Sequence, residues 1–146
     1  MTSDVLVAVG SNYPNHKKGE IFEDGAWSDI EDAPPRMTLN NYAVVYSEGS
    51  FYYFGGLDNY GVGSLNKIHR LSSASWTWSI VGRLNLAGYA HSVIKVDNTF
   101  MSVGGHRDTE ACTLEDDSFT CERNSGTALT YNFPILVPVS DDYDNC

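Results

Sequence analysis

The apolar positions along this chain are gathered in short runs that are separated by polar turns and glycines. The run SFYYFGG at residues 50–56 places four aromatic residues directly before two glycines, and TFMSVGG at residues 99–105 ends in the same way. No stretch shows a convincing apolar period of 3.6 residues over two or more turns, which an amphipathic helix would require. The pattern therefore predicts many short β-strands and no long helix.

The two glycine pairs mark a repeat. The segments YAVVYSEGSFYYFGG and HSVIKVDNTFMSVGG align without a gap, and Gly55 lies 49 residues before Gly104. A degraded copy, DVLVAVGS, ends in Gly10 and Ser11, with Gly10 lying 45 residues before Gly55. Each full segment predicts a strand, a polar turn, a second strand and a glycine pair, and a fixed period of this size indicates repeated structural units.

The tryptophans keep the same spacing and complete each unit. An apolar residue lies three places after Trp27 and three places after Trp78. For the second unit the sequence predicts strands at residues 42–46, 51–54, 67–71 and 76–81. A unit of four short strands that cannot bury both of its faces alone is typical of a propeller blade. The alternative is an ordinary β-sandwich with glycine-rich turns.

Four apolar residues, a glycine pair, a phased tryptophan and a turn that contains proline or arginine together resemble the kelch repeat. The resemblance covers residues 4–123, with Ser11 in place of a second glycine and Phe119 in place of a third tryptophan. It implies an all-β fold, an incomplete kelch-type β-propeller of about three four-stranded blades. The blades are expected at residues 4–32, 42–82 and 89–123, with one or more extra strands at 126–139. The residues expected to have structural roles are Gly55, Gly56, Gly104, Gly105, Trp27 and Trp78.

Crowding near the axis of such a fold accounts for the glycine pairs. The side chains of FYYF are expected to fill the space between adjacent blades, which are separate sheets. The chain must then turn sharply while it packs against its neighbour, and glycine permits positive φ and close backbone approach. A side chain at either position of a pair is expected to clash.

A disulfide hairpin is predicted by EACTLEDDSFTCER at residues 110–123. Asp116 and Asp117 lie midway between Cys112 and Cys121, so a tight turn centred on them places the cysteines opposite each other as a non-hydrogen-bonded pair. Asp-Asp is a poor sequence for a primed two-residue turn, which leaves a longer turn with the same centre as an alternative. Two reduced thiols are the alternative to the bridge, and Cys146 remains unpaired.

Compartment and charge limit the classes of partner. A disulfide favours an extracellular location, although the chain has no signal peptide and no Asn-X-Ser/Thr sequon. The formal net charge of −10, with nine lysines and arginines, argues against nucleic-acid binding and against docking on an anionic membrane. No apolar run approaches the ~20 residues that span a bilayer.

No catalytic constellation is present in the sequence, and neither a cofactor nor a metal is expected. His91 is expected to be a packed, hydrogen-bonded core residue. Kelch-type enzymes are the alternative, and the copper radical oxidases among them need a cysteine cross-linked to a tyrosine. Here the two hairpin cysteines are assigned to each other. Sugar-processing members would need an acid/base pair, which the sequence does not bring together.

The resemblance implies a non-enzymatic protein–protein interaction module that is a fragment of a larger propeller. Contacts are expected from the loops after the glycine pairs and from the turn before a blade's first strand, to which Arg83 is also assigned. A secreted or cell-surface structural module is the alternative, and Arg36 could instead pack over Trp27. The protein partner is unidentified, and open blade edges predict self-association. The candidate binding residues are Arg36, Asp58, Asn59, Tyr60, His106, Arg107 and Asp108.

Overall fold

The structure is a computed structural model that describes residues 5–10, 18–34, 37, 41–57, 63–105 and 108–124. Within these ranges the fold is all-β and contains no helix. The strands expected at 126–139 lie outside the described residues. The strands are β1 (Leu6–Val9), β2 (Gly19–Glu23), β3 (Ala26–Asp29), β4 (Ala43–Ser47), β5 (Ser50–Phe54), β6 (Lys67–Ser72), β7 (Trp78–Arg83), β8 (His91–Val96), β9 (Thr99–Gly104), β10 (Thr109–Glu115) and β11 (Ser118–Asn124).

The strands form three antiparallel groups, each built from consecutive strands. The first sheet has the order β1-β2-β3. Strands β4 to β7 form a four-stranded meander, and β8 to β11 form another; we call these the second and third meanders. One parallel bridge between Phe119 and Gly82 joins their outer strands β11 and β7. The resulting order is β4-β5-β6-β7-β11-β10-β9-β8, and its two end strands β4 and β8 also contact each other.

The expectation that the glycine-pair strands lie in different sheets is therefore wrong, because β5 and β9 belong to one eight-stranded sheet. Strands β5 and β9 belong to one continuous order because the backbones of Gly82 and Phe119 approach closely. A Cβ placed on Gly82 would lie 2.5 Å from the Cβ of Phe119. The missing side chain at position 82 thus permits the bridge.

The repeat is visible in the backbone. In the second meander Ala43 pairs with Phe54 and Val44 with Tyr53. Shifting each number by the repeat length gives the pairs of the third meander, such as Ser92 with Val103. The left-handed residues recur in the same way, as Asn41 and Ala90, Glu48 and Asp97, Gly55 and Gly104, and Gly56 and Gly105. The two segments therefore share one strand register and one set of turns.

All four strands predicted for the second unit are present, with shifts at their ends. Strand β7 begins at Trp78 rather than at residue 76, because the Trp76 N–H donates to Ser72 O at 2.8 Å and Trp76 has a φ of 53°. The strand then continues to Arg83, which pairs with Lys67. The assignment of Arg83 to a turn is therefore wrong.

The core consists of two clusters on opposite faces of the second meander. Strand β5 supplies both, because successive side chains of a strand point to opposite faces. Tyr52 and Phe54 pack against the third meander, whereas Phe51 and Tyr53 pack toward the first sheet. The four aromatic residues thus fill two spaces, one between the two meanders of the eight-stranded sheet and one between the second meander and the first sheet.

Four aromatic rings form the centre of the cluster between the second and third meanders. Tyr52, Phe54, Phe100 and Phe119 have neighbouring ring centroids between 4.9 Å and 6.1 Å apart. Most of these pairs are edge-to-face, an arrangement that stabilises by about 0.5–1.5 kcal/mol per pair beyond the burial of area. Two ion pairs close the ends of this interface, Lys95 with Glu48 and Arg70 with Asp117.

The disulfide hairpin is confirmed. Cys112 pairs with Cys121 in register, the two form a disulfide, and their Cα atoms lie 4.0 Å apart. The turn has two residues, Asp116 and Asp117, with φ values of 47° and 63°. The alternative of a longer turn is therefore wrong, because both aspartates adopt the left-handed conformation that Asp tolerates better than most residues.

The two phased tryptophans differ in their surroundings. Trp78 packs against Tyr53, with ring centroids 5.0 Å apart, and joins the cluster between the first sheet and the second meander. The Trp27 side chain is 54% exposed and contacts the ring of Phe22 at 5.3 Å. Of this pair, only Trp78 supports a core cluster.

Candidate binding surface at the glycine-pair end

The two glycine pairs lie at one end of the meanders, which we call the glycine-pair end. The Gly56 N–H donates to Gly88 O at 2.6 Å, and the Gly88 N–H donates to Leu65 O at 2.8 Å. The Leu65 N–H in turn donates to Gly56 O at 2.8 Å. These bonds join the loop after the first pair to the connection between β7 and β8.

One glycine of each pair approaches that connection too closely to carry a side chain. A Cβ on Gly55 would lie 2.4 Å from Gly88 O, and one on Gly105 would lie 2.6 Å from Tyr89 O. Both glycines also have positive φ values, 63° and 72°. The chain therefore leaves both pairs beside the same short stretch, residues 88–91, as the crowding argument expects.

The entries to the two end strands also meet here. The Ala90 N–H donates to Asn41 O at 2.9 Å, which fixes the start of β8 beside the start of β4. His91 is buried at 5% exposure, as expected for a packed residue. A depression of about 240 Å³ opens between these strands and is lined by Tyr42, Ala43, Val44, His91, Ser92 and Val93.

Of the predicted binding residues, the structure describes Asp108. Its carboxylate forms an ion pair with the Arg123 guanidinium across the base of the disulfide hairpin. The other six, Arg36, Asp58, Asn59, Tyr60, His106 and Arg107, lie outside the described residues. The ends of their loops are described: Leu57 and Ser64 form a bridge at the two ends of the first loop, and Gly105 and Asp108 flank the second.

Glu110 organises this end, and sequence reasoning missed it. The residue is 2% exposed, and its carboxylate accepts hydrogen bonds from Asn85 N at 2.7 Å and Leu86 N at 3.0 Å. The Asn85 amide Nδ2 donates to the same carboxylate at 3.1 Å and to Cys121 O at 2.8 Å. These bonds hold the connection between β7 and β8 against the third meander. A lone glutamate in a strand of mixed polarity does not indicate, from the sequence, that its carboxylate binds Asn85 and Leu86.

Burial keeps several titratable side chains near this end neutral. His69 is 2% exposed, and this burial, with the nearby Lys67 charge, lowers the pKa of His69 to about 4. Burial raises the pKa of Tyr42, and burial together with Tyr42 raises that of Tyr53. The Tyr42 hydroxyl donates to Val9 O at 3.4 Å. These three side chains therefore pack as uncharged groups in the strands that support the loops.

Within the described ranges, no group of three His, Cys, Asp or Glu side chains is arranged to hold a metal ion. The same part of the chain contains no helix with the length and apolar character needed to cross a membrane.

Comparison with known proteins gives similarity at the level of the fold. No family model matches the chain, and no curated protein matches it. Among solved structures the chain is similar to one titled "Structure of YjhT", with 18% sequence identity and a TM-score of 0.56. The similarity covers 70% of this chain and 31% of the other. The chain thus spans about a third of that protein's length, and at this identity the likeness concerns the fold alone.

Proposed function

We propose that this chain is a non-enzymatic protein–protein interaction module of the kelch-propeller type and forms part of a larger propeller. The observation that carries this proposal is the backbone repeat. The first hairpins of the second and third meanders, β4–β5 and β8–β9, share one register and one set of left-handed positions, and the second strand of each leads into a glycine pair beside the same connection. Serial four-stranded units of this kind are what a propeller requires.

The glycine-pair end is the proposed contact surface. Its backbone is fixed by the bonds around Gly88 and by the Glu110 carboxylate, so loops that leave this end start from rigid positions. Binding residues are commonly found on loops that a rigid scaffold positions. The proposed loops carry Asp58, Asn59 and Tyr60 after the first pair, and His106 and Arg107 after the second.

The unit count supports the proposal that a larger ring is involved. The three groups of strands in the described part of the chain are fewer than the roughly four to eight blades from which propellers are built. The two end strands β4 and β8 contact each other without forming a hydrogen-bonded ladder. Neighbouring blades of a propeller also contact each other in this way.

Selection from a random peptide display library tests this function. The chain is immobilised, and enriched peptides are measured again against Asn59→Ala and Arg107→Ala variants. The proposal expects enrichment of a sequence class whose affinity falls about tenfold in these variants, because a few contacts dominate most interfaces. Thr120→Ala, on the exposed face of β11, is the matched control and should leave the affinity unchanged. Peptides that bind both loop variants as well as the wild type would contradict the proposal.

A second candidate, a secreted or cell-surface structural module, is favoured by the Cys112–Cys121 disulfide. Disulfides persist in oxidising compartments and are rare in the cytosol. Mass spectrometry of thiols alkylated at the moment of cell lysis separates the two candidates. A secreted module requires both cysteines to be protected from alkylation until a reductant is added. Complete alkylation without reductant would contradict secretion and leave the interaction module in place.

A further inference from the structure

A cleft of about 580 Å³ lies between the first sheet and the second meander, at the end opposite the glycine pairs. The turns between β2 and β3, β4 and β5, and β6 and β7 meet at this end. Glu23 is the last residue of β2, Tyr46 and Phe51 flank the β4–β5 turn, and Ser73 and Trp76 lie between β6 and β7. Val5 and Val7 complete the lining.

Aromatic side chains line this cleft. Tyr46 is 57% exposed although its ring lies only 4.8 Å from that of Phe51, so both rings border the opening. Trp76 holds a φ of 53°, a conformation that is costly for a bulky residue. The hydrogen bond from Trp76 N to Ser72 O maintains this conformation. Strain of this kind is found disproportionately at binding sites.

Among the described lining residues, Glu23 supplies a carboxylate, the Ser73 and Tyr46 hydroxyls can accept hydrogen bonds, and the Trp76 indole N–H is a donor. The Glu23 side chain is exposed, and its carboxylate forms no hydrogen bond or ion pair with another described residue. The Ser73 hydroxyl already donates to Gly49 O at 2.7 Å, so its oxygen remains as an acceptor. Among the described lining residues there is no lysine or arginine, and the whole chain carries a net charge of −10.

These three features together select an organic cation. An ammonium group has three hydrogen-bond donors and no acceptor, which matches the Glu23 carboxylate and the hydroxyl oxygens of Ser73 and Tyr46. A cation is also attracted to the faces of tryptophan, tyrosine and phenylalanine, more strongly where water is excluded. The apolar side chains of Val5 and Val7 offer a surface for a hydrocarbon stem. The volume exceeds that of a single side chain, so flanking peptide backbone also fits.

We propose that this cleft binds a lysine side chain presented by a partner peptide. The methylene stem packs against the valines and Phe51, and the ammonium group contacts the Glu23 carboxylate and the aromatic rings. This site lies at the opposite end from the surface proposed for the glycine-pair loops. The experiment on the cleft therefore tests a different surface, and either proposal can be wrong while the other is right.

The test uses Nα-acetyl-lysine methylamide as the probe and the indole N–H signals of the protein in two-dimensional NMR. The Trp76 signal is assigned by its loss in Trp76→Phe. We expect this signal to shift saturably, with a dissociation constant of about 1 mM for so small a ligand. Nα-acetyl-norleucine methylamide, which has the same stem without the charge, should bind at least about fivefold more weakly.

Variants of two glutamates test whether the Glu23 carboxylate is the group that binds the ammonium of the probe. Glu23→Gln should weaken lysine binding about three- to tenfold, whereas Glu20→Gln, an exposed glutamate on the same strand, should leave it unchanged. Thermal unfolding of both variants checks that they fold as the wild type does. Equal binding of the norleucine compound, equal binding by Glu23→Gln, or shifts produced by a neutral monosaccharide but not by the lysine probe would overturn the proposal.

Discussion

A hydrogen atom is the largest side chain that positions 55 and 105 accept. Their Cβ atoms would meet the carbonyl oxygens of Gly88 and Tyr89, which are backbone atoms held by the surrounding hydrogen bonds. We predict that Gly55→Ala and Gly105→Ala each lower the free energy of unfolding by about 3 kcal/mol, because steric overlap adds to the strain of positive φ. Urea denaturation measures the loss.

Gly25 is the matched control for this prediction. It also has a positive φ, 82°, but a Cβ there would meet nothing within 4 Å. Gly25→Ala should therefore lower the free energy of unfolding by about 1 kcal/mol, which is the cost of positive φ alone. Equal losses at all three positions would mean that close packing at the glycine-pair end is not the reason for the pairs.

The burial of His69 predicts a pH dependence of stability. In the unfolded chain its pKa is the ordinary value of 6.5, whereas in the folded protein it is about 4. The unfolded state therefore binds a proton that the folded state does not, and stability falls as the pH drops from 6.5 toward 4. The contribution amounts to about 2 kcal/mol at pH 4.5.

A titration of the His69 ring protons by NMR measures this pKa in the folded protein. A parallel set of urea denaturation curves at pH 7 and pH 4.5 should show a smaller loss for His69→Gln than for the wild type. A folded-state pKa near 6.5 would contradict the account of this residue.

At the scale of the strands, Glu110 couples one meander to the next. Its buried carboxylate accepts two backbone N–H groups and one side-chain amide from residues 85 and 86. We predict that Glu110→Gln lowers the free energy of unfolding by about 2 kcal/mol, because an amide has one acceptor oxygen and leaves a buried donor without a partner. Chemical denaturation followed by fluorescence measures the change.

Glu122→Gln is the control, since Glu122 is exposed on the neighbouring strand β11. An exposed substitution of this kind should change stability by less than about 0.5 kcal/mol. If Glu110→Gln is as mild as this control, the hydrogen bonds to the connection do not hold the two meanders together.

Local patterns predicted the strands well and predicted their long-range partners poorly. The hairpin register followed from the position of the two cysteines around Asp116 and Asp117, and the structure has that register. The start of β7 was misplaced because Trp76 adopts a left-handed conformation that no residue pattern announces. The role of Glu110 was missed because its partners lie 24 and 25 residues away in a connection without regular structure.

At the candidate surface, the sequence predicted the crowded backbone beside Gly55 and Gly105. The glycine pairs correctly indicated where the backbone is crowded, because positive φ and close approach are both glycine properties. The partner of Asp108, Arg123, depends on the register of a hairpin strand and could have been derived once the turn was assigned.

At the scale of the whole molecule, exposed apolar residues predict self-association. Leu6, Val44, Tyr46 and Val96 are each close to half exposed or more, and β1 has only β2 as a neighbour in the described first sheet. The net charge of −10 opposes association at low salt, so the average mass should rise with both protein concentration and ionic strength. Light scattering measures this. A monomer at every concentration and salt level would contradict the prediction.

The central claim is that the second and third meanders are successive units that pack through their aromatic cluster and are joined into one strand order only by the bridge between Phe119 and Gly82. Backbone proton contacts between β7 and β11, measured as nuclear Overhauser effects, test it most directly. The account predicts main-chain contacts confined to the neighbourhood of Gly82 and Phe119, together with many side-chain contacts among Tyr52, Phe54 and Phe100. A ladder of main-chain contacts along the full length of both strands would contradict it.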